Sequence, residues 1–104
     1  MLDVMTKPQT IWKAVLKPAD MQQIEVPFGA ELLCAREQHE QICVWFRCDP
    51  TAGKEKRDIA IVGTGHGAPG REGRYLGTAS LEGGSLMFHV FERVSNSPKT
   101  TLTN

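Results

Sequence analysis

A chain of 104 residues makes one domain, long enough for a single core and too short to add a deep substrate cavity. Lys and Arg number 12, as do Asp and Glu, so the formal charge is zero; this excludes the basic excess of a general nucleic-acid or membrane-surface binder. Three cysteines, an odd count without a long apolar leader, predict a reducing, cytosolic setting, and no run approaches the ~18 apolar residues of a spanning helix.

In chain order, residues 1–9 read as a flexible arm. Thr10 to Lys17 alternates, with Ile11, Lys13, Val15 and Lys17 on one side and Trp12, Ala14 and Leu16 on the other, which predicts a strand with Trp12 facing inward. Gln22 to Val26 reads as a second strand stopped by Pro27-Phe-Gly29. A short helix capped by Asp20 ranks below it, because Pro27 and Gly29 leave room for little more than a turn or two.

Ala30 to Gln38 and Gln41 to Asp49 form a hairpin with His39-Glu40 at its tip, pairing Leu33 with Phe46, Ala35 with Val44 and Glu37 with Ile42 on an apolar core face. The other face carries Leu32, Cys34, Arg36, Cys43, Trp45 and Arg47. His-Glu is a poor two-residue turn, and a longer loop would swap the faces. Asp49 to Asp58, with the charged run Lys54-Glu-Lys-Arg-Asp58, reads as a solvated loop. Ile59 to Thr64 is a β-branched run fit for a buried strand, and His66 to Gly73 is a Gly-rich loop.

The closing hairpin spans Arg74 to Glu92, with Gly83-Gly84 suited to the positive φ angles of a two-residue turn. It pairs Leu81 with Leu86, Ala79 with Phe88, Gly77 with Val90 and Tyr75 with Glu92. Ser80 with Met87, Thr78 with His89 and Leu76 with Phe91 share the opposite face. Residues 95–104 are Ser/Thr/Asn-rich and read as a disordered tail, leaving residues 10–94 as a single domain. Six to seven short strands without an amphipathic helix predict an all-β fold, a small antiparallel β sandwich or partly open barrel.

Five segments, Ile11-Trp-Lys13, Val26-Pro-Phe-Gly-Ala30, Val62-Gly-Thr-Gly-His66, Gly73-Arg-Tyr-Leu-Gly-Thr78 and Gly83-Gly-Ser-Leu-Met-Phe-His-Val-Phe-Glu92, follow one another in an order that resembles a family of small phage- and prophage-encoded proteins of unknown function. The resemblance covers roughly residues 10 to 93. It implies a phage-type origin and a compact size, and it brings no established activity or catalytic residue. Small phage proteins without enzymatic motifs often serve as accessory factors that block a host protein, defence nucleases included, or sequester a signalling nucleotide.

Two site candidates stand beside structural readings. Arg36, Trp45 and Arg47 on the mixed hairpin face combine residue types that anchor protein interfaces. The competing reading makes Trp45 a second core layer with the arginines at its rim. The loop Gly63 to Arg74 could turn backbone N–H groups toward an anion, with His66, Arg71 and Arg74 adding charge, and so hold a phosphate-containing small molecule. It lacks the Gly-Lys-Ser/Thr ending and following helix of a phosphate-binding loop, and a plain inter-strand loop is the stronger reading.

His66 and His89 could meet if their strands are neighbours, but the spacing of Cys34, Cys43 and Cys48 is not that of a zinc knuckle, so no metal or other cofactor is assigned. Pairing between His89 and Thr78 is the simpler role for that histidine. Cys34 or Cys43 with His39 would need an orienting partner to serve as a nucleophile, and no catalytic motif is present. The expectation is therefore a non-enzymatic binding protein in the host cytoplasm, acting by occlusion of a host or phage protein, with no general nucleic-acid or membrane binding. Nucleotide sequestration through the Gly-rich loop is the alternative. A virion or assembly protein that forms homo-oligomers through its strand edges comes third.

Overall fold

A computed structural model describes residues 8–67 and 73–93. Seven strands form two antiparallel sheets: β1 (Thr10–Val15), β2 (Met21–Pro27), β3 (Glu31–Gln38), β4 (Gln41–Cys48), β5 (Lys54–Gly63), β6 (Gly73–Leu81) and β7 (Leu86–Arg93). One sheet has the order β1-β4-β3 and the other β2-β5-β7-β6, an open sandwich as expected from the strand count. Met21–Pro27 is a strand and not a helix. The arm at 1–7, the loop segment 68–72 with Arg71, and the tail at 95–104 lie outside the described residues.

The core is built by alternation. On β4, Ile42, Val44, Phe46 and Cys48 are buried facing the second sheet, where Ile24, Val26, Ile59, Ile61 and Val90 meet them. Complete burial of side chains such as Leu32, Ile59 and Val90 stabilises the fold by roughly 1.5–3 kcal/mol each. β3 lies against β6, and a Cβ placed on Gly77 would stand 2.2 Å from the Ala35 carbonyl oxygen, so the two sheets touch there backbone to backbone. Only glycine permits that approach, and it also accepts the φ of 155° found at this position.

Both hairpin registers follow the sequence reading over part of their length and then shift. Ala35 faces Val44 and Glu37 faces Ile42, closed by a true two-residue turn in which His39 (φ 55°) and Glu40 (φ 62°) are both left-handed. A bulge between Leu32 and Cys34 then places Leu32, not Leu33, opposite Phe46. Leu32 is fully buried and Leu33 is 39% exposed, so their expected faces are exchanged.

The closing hairpin keeps the expected pairs from Leu81–Leu86 to Gly77–Val90, with Thr78 opposite His89. A second bulge then pairs Tyr75 with Phe91, and Arg74 takes the place opposite Glu92. Its turn holds four residues between the Leu81–Leu86 pair, not two: Glu82, Gly83 and Gly84 all have positive φ, and the Ser85 N–H donates to the Glu82 carbonyl at 3.2 Å.

The charged run expected as a loop is the first half of β5, paired with β2 from Pro27–Lys54 to Met21–Ala60. It holds as a strand because its inward charges find partners. Arg57 Nε donates to Glu92 Oε2 at 2.6 Å, and its Nη1 donates to the Ala30 carbonyl at 2.7 Å. Glu55 Oε2 lies 3.4 Å from the same Nη1 and accepts the Gly29 N–H at 2.9 Å.

Candidate functional site

The outer face of β1-β4-β3 follows from the same alternation that fills the core. Inward Ile42, Val44, Phe46 and Cys48 leave Cys43, Trp45 and Arg47 on the other side. Trp45 sits between Lys13 of β1 and Cys34 of β3, Arg47 between Ile11 and Glu31, and Cys43 between Val15 and Arg36. The structure thus gathers Arg36, Trp45 and Arg47 on one surface. Arg36 and Arg47 are exposed and Trp45 is half-buried, with no second layer of the described chain above it.

Apolar and cationic groups alternate there. Ile11 and Val15 are about half exposed, and Leu33 joins them through the bulge. Lys13, Arg36 and Arg47 outnumber Glu31 among the outward charges of these rows, giving the face a net positive charge on a neutral chain. Arg47 is bonded to Glu31, a pair of half-exposed side chains that contributes little to stability. Lys13 Nζ donates to Gln38 Oε1 at 2.5 Å, two strands away. Cys43, between Val15 and Arg36 on the same face, is only 1% exposed.

The Gly-rich loop is placed differently. Gly63 ends β5 opposite Phe88, whereas Arg74 stands opposite Glu92, four residues further along β7. Arg74 Nη1 lies 3.9 Å from Glu92 Oε1, and His66 folds back over Gly63, its N–H donating to the Gly63 carbonyl at 3.0 Å. His66 and Arg74 therefore belong to opposite ends of the strand between them. His89, across from Val62, is held by hydroxyls on both ring nitrogens: Thr64 Oγ1 at 2.8 Å from Nε2 and Thr78 Oγ1 at 3.0 Å from Nδ1. Tyr75 Oη meets the same Thr78 hydroxyl at 2.5 Å, completing a polar row across the sheet. No group of three metal-ligating side chains occurs among the described residues.

Cys48 lies in the core, on the side of β4 opposite Cys43. Burial pushes its thiol above the ordinary value of 9.0, Asp49 adds to the rise and Lys54 opposes it, so it is a neutral core group and a poor nucleophile.

One exposed group escaped the sequence reading. Phe28, 69% exposed, tips the β2–β3 turn, in which the Ala30 N–H donates to the Pro27 carbonyl at 3.1 Å and Gly29 has φ 80°. The Pro-x-Gly spacing signals that turn, but nothing in sequence says that the phenylalanine stands outward. Its N–H donates to the Gly53 carbonyl at 2.6 Å, and the Glu55–Arg57–Glu92 network anchors the next two residues.

The features together define a small two-sheet β protein with an outer sheet face that joins a half-buried tryptophan to exposed cationic and apolar groups. The chain belongs to the family described as Domain of unknown function (DUF7352), whose model matches residues 7–101, a wider span than the five segments that suggested such a family. No curated protein and no solved structure matches it. Among the described residues, no helix is long and apolar enough to cross a membrane.

Proposed function

We propose that this protein is a non-catalytic binding module of phage type that acts in the host cytoplasm by occluding a protein partner, a host defence protein foremost. The observation that carries the reading is the outer face of β1-β4-β3, where Trp45 is flanked by Arg36, Arg47 and Lys13 with Ile11, Val15 and Leu33 around them. Tryptophan and arginine at the centre of an apolar patch suit a protein hot spot, and the positive balance suits an acidic partner surface. The origin rests on the family resemblance alone. A nucleotide-binding role for His66, Arg71 and Arg74 has weaker support, since Arg74 is turned to Glu92.

The test is affinity capture from host lysate with the wild-type chain and with Trp45→Ala and Arg36→Ala variants. The reading expects one stoichiometric protein to be retained by the wild type and lost from both variants, while their circular dichroism and melting points stay within a few degrees of wild type. Equal retention by all three chains would overturn the assignment of the face, and a co-purifying nucleotide would transfer the function to the loop.

A further inference from the structure

The four sheet edges are not equally protected. Unpaired strand edges invite further pairing, and proteins guard them with charges, prolines, bulges or brevity. β2 carries Glu25 and ends in Pro27; β3 has a bulge with Glu31, Arg36 and Glu37; β6 has a bulge and begins beside Arg74. β1 has neither proline nor bulge, running in unbroken register from Thr10–Cys48 to Val15–Cys43, and its other side pairs with no strand among the described residues.

Its single charge is Lys13, and that ammonium is drawn away from the open edge to Gln38 on β3. Three of its six residues are large, apolar and exposed: Ile11 at 51%, Val15 at 45% and Trp12 at 40%. Trp12 is on the core side, its ring edge-on to Phe46 at 6.5 Å, yet much of the indole remains open.

We propose that β1 pairs antiparallel with β1 of a second copy, about a two-fold axis at Trp12, to form one six-stranded sheet. Residues opposite each other in such a pair share a face, so this register sets Trp12 against Trp12, Ile11 against Lys13 and Thr10 against Ala14. It covers both indoles and keeps the two Lys13 ammoniums apart, whereas a register centred on Lys13 would oppose them. The occupant is a second copy because the edge is self-complementary under a two-fold axis and the neutral chain sets no net charge between copies. Five residues of each β1, Thr10 to Ala14, pair in this register, a ribbon of about 17 Å and a small contact, so the dimer forms in the micromolar range and depends on concentration. The association needs no partner protein, although Ile11 also lies in the face proposed for partner binding.

Sedimentation equilibrium of the full chain from about 1 µM to about 1 mM tests it. The mass should rise from 11.5 kDa toward twice that value. Ile11→Lys, at a site away from the core, places a second cation opposite Lys13 of the other copy and should weaken association at least tenfold. Trp12→Cys should give a disulfide-linked dimer on mild oxidation, because residues on the axis stand roughly 4.5–5.5 Å apart at Cα. Phe28→Cys should not. A wild-type mass that stays at 11.5 kDa throughout, a dimer indifferent to Ile11→Lys, or equal cross-linking through Phe28→Cys would each overturn the proposal.

Discussion

Arg57 ties three parts of the chain together, and replacing it with alanine tests whether that tie is structural. The substitution removes the 2.6 Å bond to Glu92 and the 2.7 Å bond to the Ala30 carbonyl. It leaves the Glu92 carboxylate, 9% exposed, facing only the more distant Arg74 at 3.9 Å, beyond hydrogen-bonding range. Losing one partner of a buried pair costs about 3–5 kcal/mol; because the Arg57 side chain keeps 20% exposure, the lower end applies, about 3 kcal/mol. In a domain of this size that lowers Tm by roughly 12–24 °C.

Urea and thermal unfolding followed by circular dichroism measure the loss. Arg57→Met combined with Glu92→Leu, which removes both charges and keeps apolar volume, should restore most of it. A loss below about 1 kcal/mol for Arg57→Ala, or strict additivity of Arg57→Met and Glu92→Leu measured singly and together, would refute the claim that β5 is held by its inward charges.

Gly77→Ala should cost at least about 3 kcal/mol, because its Cβ would stand 2.2 Å from the Ala35 oxygen at a φ that L-residues resist; Gly83→Ala, in open space at φ 65°, should cost about 1 kcal/mol, and chemical denaturation compares them. His39→Asn should stabilise by up to about 1 kcal/mol, since asparagine tolerates the left-handed φ of 55° better than histidine. Glu40→Gly gains the same kind of relief but loses the 3.0 Å bond from the Glu82 N–H to Glu40 Oε1, so its melting point should hardly move. Cys48 gives a pH effect of defined sign. Its folded pKa lies above the unfolded value near 9.0, so above that pH the unfolded chain binds fewer protons than the folded one. Stability therefore falls as pH rises, and Cys48→Ala should flatten this alkaline loss in melts from pH 8 to about pH 11.

The strand count, the faces of β4 and the Thr78–His89 pair were legible because each rests on strict alternation, which a sequence displays directly. The first half of β5 was not. Lys54, Lys56 and Asp58 alternate with Glu55 and Arg57, so charge appears on both faces, and the inward pair is tolerable only because Glu92, Gly29 and Ala30 supply partners from distant parts of the chain.

The bulges were hidden for a different reason. Leu32 and Leu33 are the same residue type, so nothing in composition distinguishes the one that turns inward; the choice is made by packing opposite Phe46. The bulge has a consequence for the candidate site. By taking Leu32 into the core it leaves Leu33 in solvent and keeps Cys34 opposite Trp45, so Leu33 replaces Leu32 as the leucine outside the core. The irregularity that alternation could not foresee thus decides which leucine belongs to the apolar patch on which the binding proposal rests. Leu33→Ser therefore separates site from scaffold: it should weaken partner capture while leaving the melting point within a few degrees, and a large drop in melting point would return Leu33 to the core and remove it from the surface.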